Sequence, residues 1–215
     1  MKFPHGGLYP LTPANPDSWD TWQVTITEVV RSGIKALQLR VEDVTPRLAF
    51  TKIRKECFNY KIPFIVNNDL GLANSLRADG IHLGKDDCDI QYAREVLGPD
   101  SIIGVSCYDS LNRALAAIEQ GASYVAFGRF FSSQTKPQAH ACPLNVLREA
   151  VKLLDVPVVA IGGISPDNVN MVLAQGAKLL AVGHSVFGHN KPVIAVEQFG
   201  KALDIESKKT SCPEP

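Results

Sequence analysis

The chain has 215 residues, 45% hydrophobic and 20% charged, which is ordinary globular composition and enough to bury a substantial core. Lysine plus arginine equals aspartate plus glutamate at 22 each, so the composition excludes a broad basic surface for nucleic acid or an anionic membrane. No apolar run approaches the roughly 20 residues of a membrane span. The five cysteines are scattered and lack the spacing of a zinc site, and residues 1–16 lack the pattern of a signal peptide. These features favour a cytoplasmic protein.

Eight short apolar, β-branched runs alternate with longer segments of helical period. Such runs are typical of parallel strands that are covered on both faces. In chain order they are GLYPLT (7–12), IKALQLR (34–40), PFIVN (63–67), GIHL (80–83), SIIGVS (101–106), SYVAFG (123–128), PVVAIGG (157–163) and LLAVG (179–183). Eight strands and about eight helices predict one TIM (β/α)₈ barrel over residues 1–204, with a doubly wound open sheet as the alternative, and a polar tail over 205–215.

Capping residues and glycines mark the helices between the runs. A first helix is predicted over 17–31, and a second over 46–60 with Pro46 at its first position. A third segment begins at Ser110 and ends before Gly121, and a similar one begins at Ser165 or Asp167 and ends before Gly176.

Unusual polar residues and glycines follow one predicted strand after another. The active sites of such barrels lie at the C-terminal ends of the strands. The residues concerned are Gln38, Arg40, Asn68, Asp69, Asp87, Ser106, Ser133, Thr135, Lys136, Gly163, Gly183 and His184.

Taken singly, most of these residues have an ordinary structural explanation. Asp69 and Asp87 are each suited to cap a helix, and Lys136 alone is typical of a solvated surface charge. His82, within the apolar run GIHL, is expected to be a satisfied histidine of the core or barrel wall.

Taken together, they match a site for two anions. Glycines after strands seven and eight let backbone N–H groups approach a phosphate. Two carboxylates, Asp69 and Asp87, are suited to Mg²⁺, which prefers oxygen ligands and bridges phosphate oxygens. Arg40 and Lys136 would neutralise a second, larger anion. The sequence therefore predicts a phosphate-bearing substrate and a magnesium diphosphate.

Several motifs resemble the thiamine-phosphate synthase family in order and spacing. They are LQLR (37–40), IVNND (65–69), ADGIHLGKDD (78–87), IIGVS (102–106), YVAFGRFFSSQTK (124–136), VAIGGI (159–164) and LLAVGHSVF (179–187). The resemblance covers about residues 7–200. It implies a TIM barrel that joins a hydroxymethylpyrimidine diphosphate to a thiazole phosphate and releases pyrophosphate.

The resemblance also implies a role for individual residues. Catalytic stabilisation of the leaving group would come from Arg40 and Lys136, and Mg²⁺ would be held by Asp69 and Asp87. The pyrimidine diphosphate would be bound by Gln38, Leu39, Arg40, Val41, Glu42, Asn68, Ser106 and Lys136. The thiazole phosphate would be bound by Ser133, Gln134, Thr135, Gly163, Gly183 and His184. The implied partners are these small molecules, and the sequence leaves a homo-oligomer open.

The sequence departs from the family pattern at three positions. Glu42 stands where the family usually has Lys, Ser133 replaces Thr, and His184 replaces a small hydroxyl residue. Glu42 is the most serious, because a negative charge beside a diphosphate is repelled. Its side chain is therefore expected to turn away or to approach through Mg²⁺ or water.

Two other functions compete with the synthase. A thiazole tautomerase of the same superfamily shares the fold, but that branch resembles SVH after strand five, whereas this chain has SCY at 106–108. A non-catalytic thiamine-phosphate binding protein would have no need of the leaving-group residues Asp69, Asp87, Arg40 and Lys136. In either case, the long segment 129–143 is predicted to be a flap over the site.

Overall fold

The computed structural model describes residues 1–132 and 140–210, with side chains as far as Asp204, and contains a barrel of eight parallel strands. The strands are β1 (Gly7–Pro10), β2 (Leu37–Leu39), β3 (Phe64–Asn67), β4 (Gly80–Leu83), β5 (Ile102–Tyr108), β6 (Tyr124–Phe127), β7 (Val158–Ile161) and β8 (Leu179–Val182). Consecutive strands pair from β2 to β8, and β1 pairs with β8. The predicted (β/α)₈ barrel is confirmed, and each strand overlaps one predicted run.

The seam between β1 and β2 closes the barrel through few hydrogen bonds. A single parallel bridge joins Leu11 to Gln38, and the Thr12 N–H donates to the Gln38 carbonyl at 3.0 Å. The buried Thr12 hydroxyl then donates to the Arg40 carbonyl at 3.0 Å and accepts from the Arg40 N–H at 2.9 Å. A side chain therefore replaces the missing strand ladder at the point where β2 ends.

Helices follow the strands around the barrel. They are α1 (Trp19–Arg31), α2 (Arg47–Asn59), α3 (Leu70–Ser75), α4 (Ile90–Leu97), α5 (Leu111–Glu119), α6 (Leu144–Leu153), α7 (Val169–Leu173), α8 (His184–Phe187) and α9 (Pro192–Thr210). None of the helices in the described part of the chain is long and apolar enough to cross a membrane.

Side-chain caps mark the starts of α1, α3, α4 and α5. Ser110 accepts from the Arg113 N–H, as its position in the sequence predicts. Two starts differ from prediction: α2 begins after Pro46, and α7 begins after Asn168, whose side-chain oxygen binds the Ser165 N–H in a turn. The predicted boundary at 204 falls within α9, so the division into a domain and a tail stays a prediction.

Two apolar clusters form the core. The larger lies between the strands and the helices, and the smaller fills the inside of the barrel. In the interior, the Phe3 ring stacks on Tyr124 with centroids 3.8 Å apart. Gly104 makes room for that ring, because a Cβ there would lie 1.9 Å from Tyr124 Cζ. The interior is thus packed with side chains, as in other barrels of this architecture.

Candidate functional site

A cavity of about 650 Å³ lies at the C-terminal ends of the strands. Its walls combine apolar side chains with polar groups from almost every strand end. The predicted site residues that line it are Gln38, Arg40, Asn68, Ser106, Gly163, Gly183 and His184. The structure therefore brings together residues that are up to 146 positions apart, from Gln38 to His184, as the barrel topology predicts.

Arg40 supplies a cation to this cavity. Its backbone is fixed by the two hydrogen bonds to the Thr12 hydroxyl. Its half-buried guanidinium makes no hydrogen bond or ion pair with any residue that the structure describes. A positioned guanidinium whose donors are unused is suited to bind phosphate oxygens, often with two parallel hydrogen bonds. Thr12, which the sequence did not single out, therefore fixes the backbone from which the Arg40 side chain extends.

The neighbours of Arg40 on β2 and beyond point elsewhere. Leu39 is fully buried, and Val41 packs against the core between strands and helices. The exposed Glu42 carboxylate accepts a hydrogen bond from the Asn15 side chain, and its N–H donates to the Ala14 carbonyl at 3.3 Å. Leu39, Val41 and Glu42 do not line the cavity. The expectation that Glu42 turns away therefore agrees with its position.

Asp69 and Asp87 follow the neighbouring strands β3 and β4. Asp69 caps α3 by accepting from the Leu72 N–H at 2.8 Å, and Asp87 accepts from the Gly84 N–H at 2.6 Å. Each hydrogen bond uses one carboxylate oxygen, and the other oxygen makes none to the described residues. The Asn68 amide, with its nitrogen toward Asp87, donates to Asp87 Oδ2 at 3.2 Å. Capping and ligand binding are thus compatible at both residues.

Asp69 and Asp87 do not themselves line the cavity, and as a pair of carboxylates they are suited to Mg²⁺ and not to a metal that requires several protein ligands. Within the described ranges, no group of three or more His, Cys, Asp and Glu side chains could hold a metal ion. Mg²⁺ is commonly bound by one or two carboxylates, with waters and phosphate oxygens completing its shell. The two carboxylates provide that number of ligands.

The ends of β7 and β8 form a corner that is rich in backbone donors. Gly163 has φ +66°, and a Cβ there would lie 2.3 Å from the Ser132 carbonyl oxygen, so only glycine fits. The Ser185 hydroxyl donates to the Ile164 carbonyl and so ties the two strand ends together. The N–H groups of Gly163, His184 and Ser185 donate to no described residue. Free N–H groups beside a cavity are suited to a phosphate.

A chain of buried hydrogen bonds crosses the barrel below the cavity. Gln38 Nε2 donates to the Tyr9 hydroxyl at 2.7 Å, and the Tyr9 and Tyr124 hydroxyls are 2.9 Å apart. The Tyr124 hydroxyl lies 3.0 Å from His82 Nδ1, and His82 Nε2 lies 2.9 Å from Ser106 Oγ. His82 is therefore a satisfied barrel histidine, as the sequence predicts. The tyrosines were missed, because each lies in an apolar run where an aromatic residue indicates packing.

The remaining predicted site residues belong to the segment after β6. Ser133, Gln134, Thr135 and Lys136 lie outside the described residues, and their predicted roles stay predictions. Before them, Arg129 lines the cavity and donates to the Phe131 carbonyl at 3.4 Å. It adds a second cation at the cavity wall that the sequence did not single out.

Cys107 is adjacent to Ser106 but does not reach the cavity. It is fully buried, and burial raises the pKa of its thiol to about 12. A thiol with this pKa is almost entirely protonated at neutral pH. Cys107 is therefore a packing residue and not a nucleophile.

Comparison with known proteins gives consistent matches. The sequence model of the family described as thiamine monophosphate synthase matches residues 8–186. A thiamine-phosphate synthase of Aromatoleum aromaticum is 44% identical over 189 residues, covering 86% of this chain and 90% of that protein. One from Methylococcus capsulatus is 42% identical over 191 residues, covering 87% and 85%. The solved thiamine phosphate pyrophosphorylase of Pyrococcus furiosus has a TM-score of 0.82 at 32% identity, covering 93% of this chain and 96% of that one.

Proposed function

We propose, since the chain belongs to the thiamine monophosphate synthase family, that it joins 4-amino-5-hydroxymethyl-2-methylpyrimidine diphosphate to a thiazole phosphate. The products are thiamine monophosphate and pyrophosphate. The observation that carries the proposal is that one cavity contains both the Arg40 guanidinium, which has no partner among the described residues, and the glycine corner at Gly163 and His184. These groups provide separate places for two phosphate-bearing substrates.

In the proposed reaction, the bond between the pyrimidine methylene carbon and the diphosphate oxygen breaks, and its electron pair leaves with the oxygen. The thiazole nitrogen then donates its lone pair to that carbon and forms the new C–N bond. Arg40 stabilises the charge that develops on the leaving diphosphate, and Lys136 is the proposed second cation. The corner at Gly163 holds the thiazole phosphate and so orients its ring. No protein nucleophile is needed, in keeping with the buried Cys107.

Asp69 and Asp87 are the proposed ligands of Mg²⁺. When bound, the ion would neutralise diphosphate charge and make the diphosphate a better leaving group. The two carboxylates that would hold it follow β3 and β4, and the Gly84 N–H and Asn68 amide hold Asp87 in orientation. Asn68 thus has a positioning role in addition to its place on the cavity wall.

The experiment is an assay of pyrophosphate release by the purified protein. Release should require both substrates and Mg²⁺, and chelation should abolish it. Asp69→Asn and Asp87→Asn should each raise the Mg²⁺ concentration for half-maximal rate. Asp100→Asn serves as the surface control, because Asp100 is exposed, lies before the start of β5 and does not line the cavity. A folded protein that binds the substrates but releases no pyrophosphate would contradict the proposal. Isomerisation of a carboxylated thiazole phosphate without coupling would instead identify a tautomerase.

A further inference from the structure

The buried hydrogen-bond chain has a feature that packing alone does not require. It connects two cavity residues, Gln38 and Ser106, through three residues that do not belong to the predicted binding set: Tyr9, Tyr124 and His82. Gln38 is 2% exposed, and its Oε1 has no hydrogen-bond partner among the described residues although Gln38 lines the cavity. A buried carbonyl left unpaired is costly and indicates a missing donor.

The direction of every hydrogen bond in the chain follows from its first member. Burial raises the pKa of both phenols, so each keeps its single O–H. Because Gln38 Nε2 can only donate, Tyr9 accepts from it and gives its own hydrogen to Tyr124. Tyr124 then donates to His82 Nδ1, and a neutral imidazole that accepts there carries its proton on Nε2.

The last link determines what Ser106 offers to a ligand. With its proton on Nε2, His82 donates to Ser106 Oγ, so the serine hydrogen is available to the cavity. Turning the Gln38 amide would reverse all the links together, since each hydroxyl has only one hydrogen. It would also place two N–H donors at the buried position of Oε1, where no described residue accepts. The first direction keeps one amide N–H paired with Tyr9 and leaves only the carbonyl for a ligand, whereas the reverse leaves both N–H groups without an acceptor among the described residues; the tautomer of His82 distinguishes the two.

We propose that Tyr9, Tyr124 and His82 form a positioning relay that gives the two cavity residues opposite hydrogen-bonding characters, with Gln38 an acceptor and Ser106 a donor. The ligand at Gln38 must then carry an N–H donor, and the ligand at Ser106 must carry an acceptor. On the proposed function, on which this specificity rests, the donor is the exocyclic amino group of the aminopyrimidine. An oxo-pyrimidine, with a carbonyl in place of that amino group, would face the Gln38 carbonyl and be rejected.

The relay can be tested first without any substrate. Nitrogen-15 NMR of the histidine-labelled protein distinguishes the two ring nitrogens of a neutral imidazole, and His82→Asn assigns the signal. We expect His82 to carry its proton on Nε2. A proton on Nδ1 would overturn the proposed direction. This measurement does not depend on catalysis. It therefore tests the relay even if the coupling assay contradicts the proposed function.

Tyr124→Phe then tests the coupling to specificity. The ring that stacks on Phe3 is kept, and the hydroxyl between Tyr9 and His82 is lost. We expect the His82 signal to change and kcat/KM for the aminopyrimidine diphosphate to fall about ten- to a hundredfold, with the KM for the thiazole phosphate unchanged. Discrimination against the oxo-pyrimidine should narrow.

Controls keep this test decisive. Tyr92→Phe, at a position 53% exposed, should change neither the NMR signal nor the kinetics. If Tyr124→Phe does not fold, Tyr9→Phe interrupts the same chain one link earlier. An unchanged His82 signal in the folded variant, or an equal loss toward both substrates, would overturn the positioning role.

Discussion

Arg40 and Glu42 are two residues apart and have opposite charges, but the structure places only Arg40 in the cavity. At an effective dielectric of 20, a unit charge about 4 Å from a diphosphate charge contributes roughly 4 kcal/mol. Because Arg40 is half-buried and partly screened by solvent, about 2 to 3 kcal/mol is a more realistic loss for Arg40→Gln. This corresponds to a fall in kcat/KM for the pyrimidine diphosphate of about 30- to 150-fold. Arg40→Lys should recover part of it, because the charge remains and the fork of donors is lost.

Glu42→Gln is the matched control for Arg40→Gln. Its exposed carboxylate is held by Asn15 outside the cavity, so neutralising it should change kcat/KM less than about threefold. The assay is steady-state pyrophosphate release at fixed ionic strength, with the pyrimidine diphosphate varied and the thiazole phosphate saturating. Equal effects of the two substitutions, or an unchanged rate for Arg40→Gln, would refute the assignment of Arg40 as the anion-binding residue.

Two further predictions concern the phosphate corner and the buried thiol. Gly163→Ala should lower the free energy of unfolding by about 1 to 3 kcal/mol and raise the KM for the thiazole phosphate, because its Cβ would lie 2.3 Å from the Ser132 oxygen. Gly33→Ala is the control, because Gly33 has φ +94° and no atom lies within 4 Å of the added Cβ. It should lower the free energy of unfolding without raising the KM for the thiazole phosphate. Similar KM values in both variants would contradict the assignment of Gly163 to the phosphate site. At pH 8, Cys107 should react with iodoacetamide about a thousandfold more slowly than in the unfolded chain, since burial disfavours the thiolate and raises its pKa to about 12. Its labelling, followed by mass spectrometry, should rise as the pH increases toward that value, and rapid labelling at neutral pH would show that the thiol is accessible.

The strands and most of the cavity could be predicted from the sequence because each has a local signal. A buried parallel strand is an apolar run, and the barrel topology places every strand end at the same rim. Arg40, Ser106 and Gly163 could therefore be assigned to one site before any distance was known. The helix starts were predicted less exactly. α7 begins after Asn168, because the Asn168 side chain binds the Ser165 backbone in a turn that competes with an earlier helical start.

The residues that the sequence did not reveal act through long-range pairing. Thr12 is important only because β2 ends at Leu39 and leaves the Arg40 backbone without a strand partner. Tyr9 and Tyr124 are 115 positions apart, and only the barrel closure makes their hydroxyls neighbours. Glu42 could not be placed either, because its partner Asn15 belongs to the loop after β1. Signals of this kind depend on tertiary contacts and have no periodicity in the chain.

The seam at Thr12 has a consequence for how the barrel and its ligand depend on each other. Local opening of a protein begins where pairing is sparse, and β1 and β2 share one parallel bridge, whereas each other pair of neighbouring strands has three or four register pairs. The cavity wall includes Thr12 on one side of this seam and Gln38 and Arg40 on the other. A molecule that fills the cavity therefore bridges the two edges like a clasp. Part of its binding energy therefore stabilises the closed barrel. Ligand binding should reduce local opening at the seam between β1 and β2.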